Sequence, residues 1–311
     1  MPVFTIDKSL PNQKKELLAY LRERSSEFAA DISQKLGTSR RGLVAKGIVG
    51  LLKKEEQQLL AQVQQQARLH KWPNDALLRA SLLIAHCTSV VMFDSRNEWR
   101  PYEYMDFSRR VGERWEHLCL LCFDFPINTD VSLFTPPLYK DVKVRLHSEV
   151  TDYINSLPLS KQQKNSLLGY YDRVWSVMDA AMIRLSLDLH FMAGQKRFVV
   201  DLKSGFGSNE KGNMNRLLVV GTIYTHIEQQ DYTCMMWVRS KEERNNNYLK
   251  TLKKSGVWEV SCGEEAYAKI KQSSGFDAAK WINANVAWNE DLLPSTLAHL
   301  KKSDLMGYME W

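Results

Sequence analysis

The sequence predicts an α/β protein with a largely helical N-terminal portion, and two observations carry that expectation. From about Pro11 to Ala180, apolar residues recur at helical spacing. Past Met182 the pattern changes to alternating and β-branched runs punctuated by glycine, in the order β-β-α-β-α-β. With 311 residues, 44% of them hydrophobic, the chain is long enough to bury a core without staples. Two regions are expected: a mainly helical one over 1–180 and a mixed α/β one over 181–311. The first is either a separate domain or part of the same one.

Each element has a local reason. Pro11 suits a first helical turn, and KKELLAYLRERSSEFAADISQKL runs at helical spacing until Gly37 stops it. A second, longer pattern, LVAKGIVGLLKKEEQQLLAQVQQQARLHKW, closes at Pro73, its Gln-rich side reading as a solvated face. The more apolar NDALLRASLLIAHCTSVVMF reads as a buried third helix. An aromatic and arginine-rich interval over 96–115 follows. Pro136 and Pro137 mark a loop, KVRLHSEVTDYI is helical, and Ser160 has the position of an N-cap for SKQQKNSLLGYYDRVWSVMDAAM. Then IRLSLDLHFM alternates, AGQK is a turn, and RFVVDLKSG is a β-branched run, so the three form a hairpin. Beyond a Gly/Asn/Ser loop, MNRLLVVGTIYTHI reads as a helix, with a strand as the alternative. DYTCMMWVRS and VWEVSCG read as strands, and NNNYLKTLKKSG and EEAYAKIKQSSG as helices.

Composition narrows the class. Lys and Arg number 42 against 36 Asp and Glu, a formal charge of +6, which permits a polyanionic partner but falls short of a histone-like balance. The N-terminus lacks the apolar core of a signal peptide, and no run is expected to reach the roughly 18 apolar residues of a membrane span. A soluble, cytoplasmic protein with no membrane association is expected. Cys87, Cys119, Cys122, Cys234 and Cys262 are odd in number and mostly set in apolar segments, which suits a reducing compartment.

The hairpin poses the chemical question. Its apolar strands carry Asp188, Asp201 and Lys203. Two carboxylates on adjacent strands suit a shared divalent cation such as Mg²⁺, which prefers hard oxygen ligands and keeps waters that a phosphate can replace. Asp201 and Lys203 lie two apart on one strand and share a face, and a suitable register adds Asp188 to it. A lysine there offsets negative charge and orients a nucleophile. The three residue types suit phosphodiester hydrolysis.

Asp188, twelve intervening residues, then Asp201-Leu202-Lys203 resembles the signature of the PD-(D/E)xK nuclease superfamily. In that superfamily an acid on one strand precedes an Asp or Glu, any residue, and a Lys on the next. The proline usual before the first acid is absent, since Leu187 stands there. SGFGSNEKGNMNR and SGVWEVSCGEEAYAKI look like the corresponding region of type II restriction endonucleases, and the likeness covers about residues 183–290. It implies a restriction-endonuclease-like mixed central sheet flanked by helices, with a catalytic core over 181–311. It also implies Mg²⁺-dependent cleavage of double-stranded DNA without a covalent intermediate, a homodimer, and a prokaryotic host. The helical 1–180 region would then serve DNA binding or dimerisation. By position, Asp188 and Asp201 would be metal ligands, the Leu202 carbonyl a third, and Lys203 the residue that positions water. A repair or replication-linked nuclease of the same superfamily is the nearest alternative, and a non-catalytic helical interaction protein the next.

Other residues carry related chemistry. Asp141-Val142-Lys143 repeats the D-x-K triplet but runs into a helical pattern. Ser204, Asn209, Lys211, Asn213, Asn215 and Arg216, in a glycine-rich loop after the second strand, supply donors for phosphates or base edges. Asn245 to Asn247, flanked by Arg239, Lys241 and Arg244, are of a similar kind. His190 shares a face with Asp188, though a structural histidine is the preferred role. Glu149, Asp172 and Asp179 stand as further acids for the metal. Cys119 and Cys122, with His117, His86 and Cys87, have a spacing seen in zinc sites, but their Leu and Phe neighbours favour buried core.

Overall fold

The computed structural model describes residues 4, 6–179, 184–205, 211–225 and 231–310. Twelve α-helices and five strands occur among them. In chain order they are α1 (Lys14–Leu36), α2 (Arg41–Leu69), α3 (Asn74–Trp99), α4 (Tyr104–Asp124), β1 (Val131–Leu133), α5 (Tyr139–Ser156) and α6 (Lys161–Asp179). There follow β2 (Leu189–Ala193), β3 (Lys196–Lys203), α7 (Lys211–Thr225), β4 (Tyr232–Val238), α8 (Asn247–Lys254) and β5 (Glu259–Cys262). The chain closes with α9 (Glu264–Ser274), α10 (Ala278–Asn285), α11 (Trp288–Asp291) and α12 (Pro294–Lys302). The fold is α/β, with a mixed five-stranded sheet flanked by helices.

The chain divides into two compact units that interleave in sequence. A helical unit comprises 1–131, 238–242 and 262–311, and a sheet unit comprises 132–237 and 243–261. Helices α5 and α6 therefore belong with the sheet, and α9 to α12 belong with the N-terminal helices. The reason is burial: α9 packs on α4 and α12 on α3, giving Ile270 and Leu300 a core that no local pattern could reveal.

Within the helical unit, α3 is the central element, packed against α1, α2 and α4 and buried around most of its circumference. It is also long and apolar enough by length and composition to cross a membrane, contrary to the expectation that no run would be; 78% of its apolar window is buried inside the fold. The supposed interval over 96–115 is helical for most of its length, shared between the end of α3 and α4.

The sheet unit has strand order β1-β2-β3-β4-β5. Ser160 does head α6: Ser160 Oγ and its backbone N–H donate to Gln163 Oε1 at 2.9 and 3.0 Å, and Gln163 N–H donates back to Ser160 Oγ at 3.4 Å, a reciprocal cap. β2 and β3 form an antiparallel hairpin in which Ala193 pairs with Lys196, leaving a two-residue loop. Gly194, the first loop residue, takes φ +61°, which such a hairpin asks of its first central position and which an L side chain resists. Phe191 and Phe198 face one another across the pair and stack at 4.8 Å. Val199 to Leu202 are all buried, which marks β3 as an inner strand covered on both faces. The first strand, β1, was not expected; its link to β2 continues with Phe134 N–H donating to His190 O at 3.2 Å.

The segment 211–225 is helical, not a strand. α7 buries Leu217, Val220, Ile223 and Tyr224 at helical spacing. Gly221 lets it approach closely, since a Cβ there would lie 2.6 Å from both Trp258 Nε1 and Val257 Cγ1. Trp258 Nε1 donates to Leu217 O at 3.0 Å and Tyr224 Oη to Leu185 O at 2.8 Å, so α7 is fixed at both ends of its buried face.

Candidate active site

Hairpin register sets the geometry. Leu189 pairs with Val200, so Asp188, in a bend just before β2, stands opposite Asp201 on β3, and Lys203 lies on the same face two residues on. The first strand was expected to include Asp188; it begins one residue later. One Asp188 oxygen, Oδ2, accepts the Leu202 N–H at 2.7 Å, which holds the bend against β3. Asp201 is buried, only 1% exposed, while Asp188 and Lys203 are half-buried.

Two cations reach Asp201. Lys203 Nζ lies 2.8 Å from Oδ2 and Arg216 Nη2 lies 3.6 Å from Oδ1. Lys203 also donates to its neighbour's carbonyl, Leu202 O, at 3.4 Å. The Lys203 approach is an ion pair without the alignment of a directed hydrogen bond, leaving Oδ2 buried with no such bond made to it. Burial pushes the Asp201 carboxyl above its ordinary range; Lys203 pulls it back, Asp188 adds to the rise through its own negative charge, and Arg216 opposes. A buried carboxylate kept costly to ionise by a second acid across the strand is arranged to gain from a further positive charge.

Arg216 was expected to contact DNA from a loop. It stands instead on α7, in the second turn, with its Nε donating to Asn213 Oδ1 at 3.2 Å. The loop reading fails from Lys211 on: Lys211, Asn213 and Asn215 are helical with Arg216, and Asn215 and Arg216 are exposed. Ser204 is half-buried just past β3. Asn209 and the Lys211 side chain lie outside the described residues. The pairing of Arg216 with Asp201 was not foreseen; the i,i+3 spacing of Asn213 and Arg216 was its only local signal.

Of the remaining candidates, His190 feels the Asp188 charge, which opposes the lowering of its pKa by burial. His190 accepts the Leu187 N–H on Nε2 at 3.4 Å and packs edge-on to Phe134, a structural role. Asp141 and Lys143 are on α5, so that triplet has no strand. Glu149 pairs with Arg145 at 3.5 Å and Asp172 with His147 at 2.9 Å; the Asp179 side chain lies outside the described residues. Asn246 caps α8 by accepting the Tyr248 N–H at 3.0 Å, and Arg239 donates to Tyr308 O and Glu310 O at 2.8 and 3.0 Å. Cys119 and Cys122 are buried on α4 with thiols pushed up by burial, and His117 pairs with Glu56 at 3.0 Å. Among the described residues no group of three or more His, Cys, Asp or Glu is placed to hold a metal.

The helical unit holds two features of its own. A cleft of about 330 Å³ between α2, α3 and α4 is lined by Lys53, Glu56, Arg110, Glu113 and His117 among others. Its charges pair mutually, Arg110 with Glu113 at 2.6 Å and His117 with Glu56, so no one sign prevails to select a ligand. Deeper in that unit, Asp291 receives Lys14 at 2.6 Å, His86 Nε2 at 2.8 Å and the Ala287 N–H at 3.0 Å. Arg114 donates to His86 Nδ1 at 2.5 Å, which places the imidazole proton on Nε2. Both Asp291 carboxylate oxygens and both His86 ring nitrogens are partnered there, as in a structural network.

The acid pair has a donor set suited to Mg²⁺. Asp201 Oδ2 is a buried oxygen without a directed hydrogen bond, Asp188 commits only Oδ2 to the backbone, and the Leu202 carbonyl is adjacent. Hard oxygens in that number match an ion that keeps several of its waters. No family model, curated protein or solved structure matches the chain.

Proposed function

We propose that this chain is a Mg²⁺-dependent endonuclease of the PD-(D/E)xK type that cleaves double-stranded DNA at specific sequences, as type II restriction enzymes do, and acts as a homodimer. The observation that carries the proposal is the hairpin register: it sets Asp188 opposite Asp201, with Lys203 Nζ 2.8 Å from the buried carboxylate. Three residues of the right chemistry, dispersed over sixteen positions, meet on one face.

Asp188, Asp201 and the Leu202 carbonyl are the groups that would hold the ion. Bound there, Mg²⁺ would lower the pKa of a water and offset charge on the phosphate. Lys203, half-buried beside Asp201, orients the attacking water and offsets the charge that develops on the phosphoryl oxygens. The water attacks phosphorus in line, its proton passes to solvent or a phosphate oxygen, and the 3′ oxygen leaves. Ser204 and the first turns of α7, with half-buried Asn213 and exposed Asn215 and Arg216 and, by sequence, Lys211, supply donors toward the backbone of the duplex, where a helix N-terminus also favours phosphate. Asn209 belongs to the same proposal by sequence.

The test is digestion of a long unmethylated DNA with and without Mg²⁺, beside Asp201→Ala. Discrete fragments requiring both metal and Asp201 are expected. A metal-dependent smear would keep the site and move the function to a repair or replication-linked nuclease. Intact DNA throughout would leave a structural hairpin.

A further inference from the structure

Arg216 and Lys203 hold Asp201 in different ways. Lys203 comes from the same strand, 2.8 Å away with a side chain 20% exposed. Arg216 comes from α7, 3.6 Å away with a side chain 40% exposed, too far for a direct hydrogen bond and steadied by Asn213. It is therefore the looser of the two cations and the one that can leave without moving a strand.

The charges at the site also balance. Two carboxylates, Asp188 and Asp201, face two cations, Lys203 and Arg216, and the four sum to zero. A divalent cation added to this set leaves +2, which one phosphodiester and one hydroxide would cancel. A guanidinium that swings off Asp201 is well shaped for a phosphate, since its planar fork matches two phosphoryl oxygens.

We infer that Arg216 is a displaceable counter-ion of Asp201, competing with the divalent cation when DNA is absent and moving to a phosphate when DNA is present, so that metal and DNA binding reinforce one another through this side chain. The inference rests on the proposed metal site and deepens it by adding a positioning residue. Thermodynamic reciprocity requires that whatever DNA does to metal affinity, metal does to DNA affinity.

Mn²⁺ titrated calorimetrically into the full chain, alone and with a short mixed-sequence duplex, tests it. Arg216→Gln is expected to bind Mn²⁺ about tenfold more tightly than the parent without DNA, a size appropriate to a half-exposed charge near a buried one. Duplex DNA should tighten Mn²⁺ binding to the parent and leave the Gln variant unchanged, while Arg216→Lys keeps most of the coupling. A purely structural role for Arg216 would not raise metal affinity. Should Arg216→Gln bind Mn²⁺ equally or more weakly while Asp201→Asn abolishes binding, the competition is overturned and the metal site stands. Mn²⁺ binding that is absent from the parent, or indifferent to Asp201→Asn, would remove the metal site and this inference together.

Discussion

Asp291 in the helical unit and Asp201 in the sheet unit are both buried aspartates with two basic partners, and they behave oppositely. Burial pushes each carboxyl up. At Asp291, hydrogen bonds from His86, Lys14 and the Ala287 amide outweigh burial and hold the carboxyl below its ordinary range. At Asp201, burial and the nearby Asp188 charge prevail over Lys203 and Arg216, and the carboxyl is raised. Asp201 has two cations where Asp291 has Lys14 and a neutral His86, so cation number does not explain the order; the hydrogen bonds at Asp291 and the second acid at Asp201 do. A satisfied buried charge is structure, and the under-satisfied one with a like-charged neighbour is where the proposed metal would bind.

The largest test of that contrast removes the satisfied acid. Asp291→Ala leaves His86 and the Ala287 N–H without their acceptor and Lys14 with only the Asn285 carbonyl, and a loss of about 3 kcal/mol is expected in urea-induced unfolding. A loss under about 1 kcal/mol would mean the network is ornamental, as exposed pairs often are.

Next in size is acid sensitivity of the same network. His86 is fully buried, and burial first, then the Arg114 charge, lowers its pKa to about 4, against Asp291. Because the folded value lies below the unfolded 6.5, the unfolded chain binds the extra proton between them. The contribution is present above pH 6.5 and is lost as pH falls toward about 4, amounting to about 3 kcal/mol. Unfolding free energies measured across that window should fall with acidity, and a profile equally steep in His86→Gln would assign the effect elsewhere.

The smallest effect has the opposite sign. Asp201 has a folded pKa above its unfolded 3.8, so its ionisation opposes folding as pH rises through that interval and beyond. Asp201→Asn should therefore stabilise the chain at neutral pH while removing metal-dependent cleavage. A variant that is both inactive and destabilised would put Asp201 in the same class as Asp291.

Local structure was legible where local physics decides it. The glycine turn at Gly194, the Ser160 cap and the long helices α1 to α3 follow from residues within a few positions of one another. β1 was not legible, because three residues with one buried side chain carry no periodicity, and only pairing beside β2 makes them a strand. The loop reading of Lys211 to Arg216 failed for a related reason: its Gly and Asn residues resemble a loop until Leu217 and Val220 find a buried face. Cys119 and Cys122 were read correctly as core from their apolar neighbours.

The sequence by itself determined the hairpin, the spacing of Asp188, Asp201 and Lys203, and hence the chemistry those side chains offer together. It did so because strand alternation and a two-residue turn are short-range properties. Only the tertiary structure decided that Arg216 reaches Asp201 from a helix, that His86 meets Asp291 across 205 positions, and that the C-terminal helices join the N-terminal ones. Those partnerships depend on which apolar faces bury one another, and that choice is made by the whole chain at once.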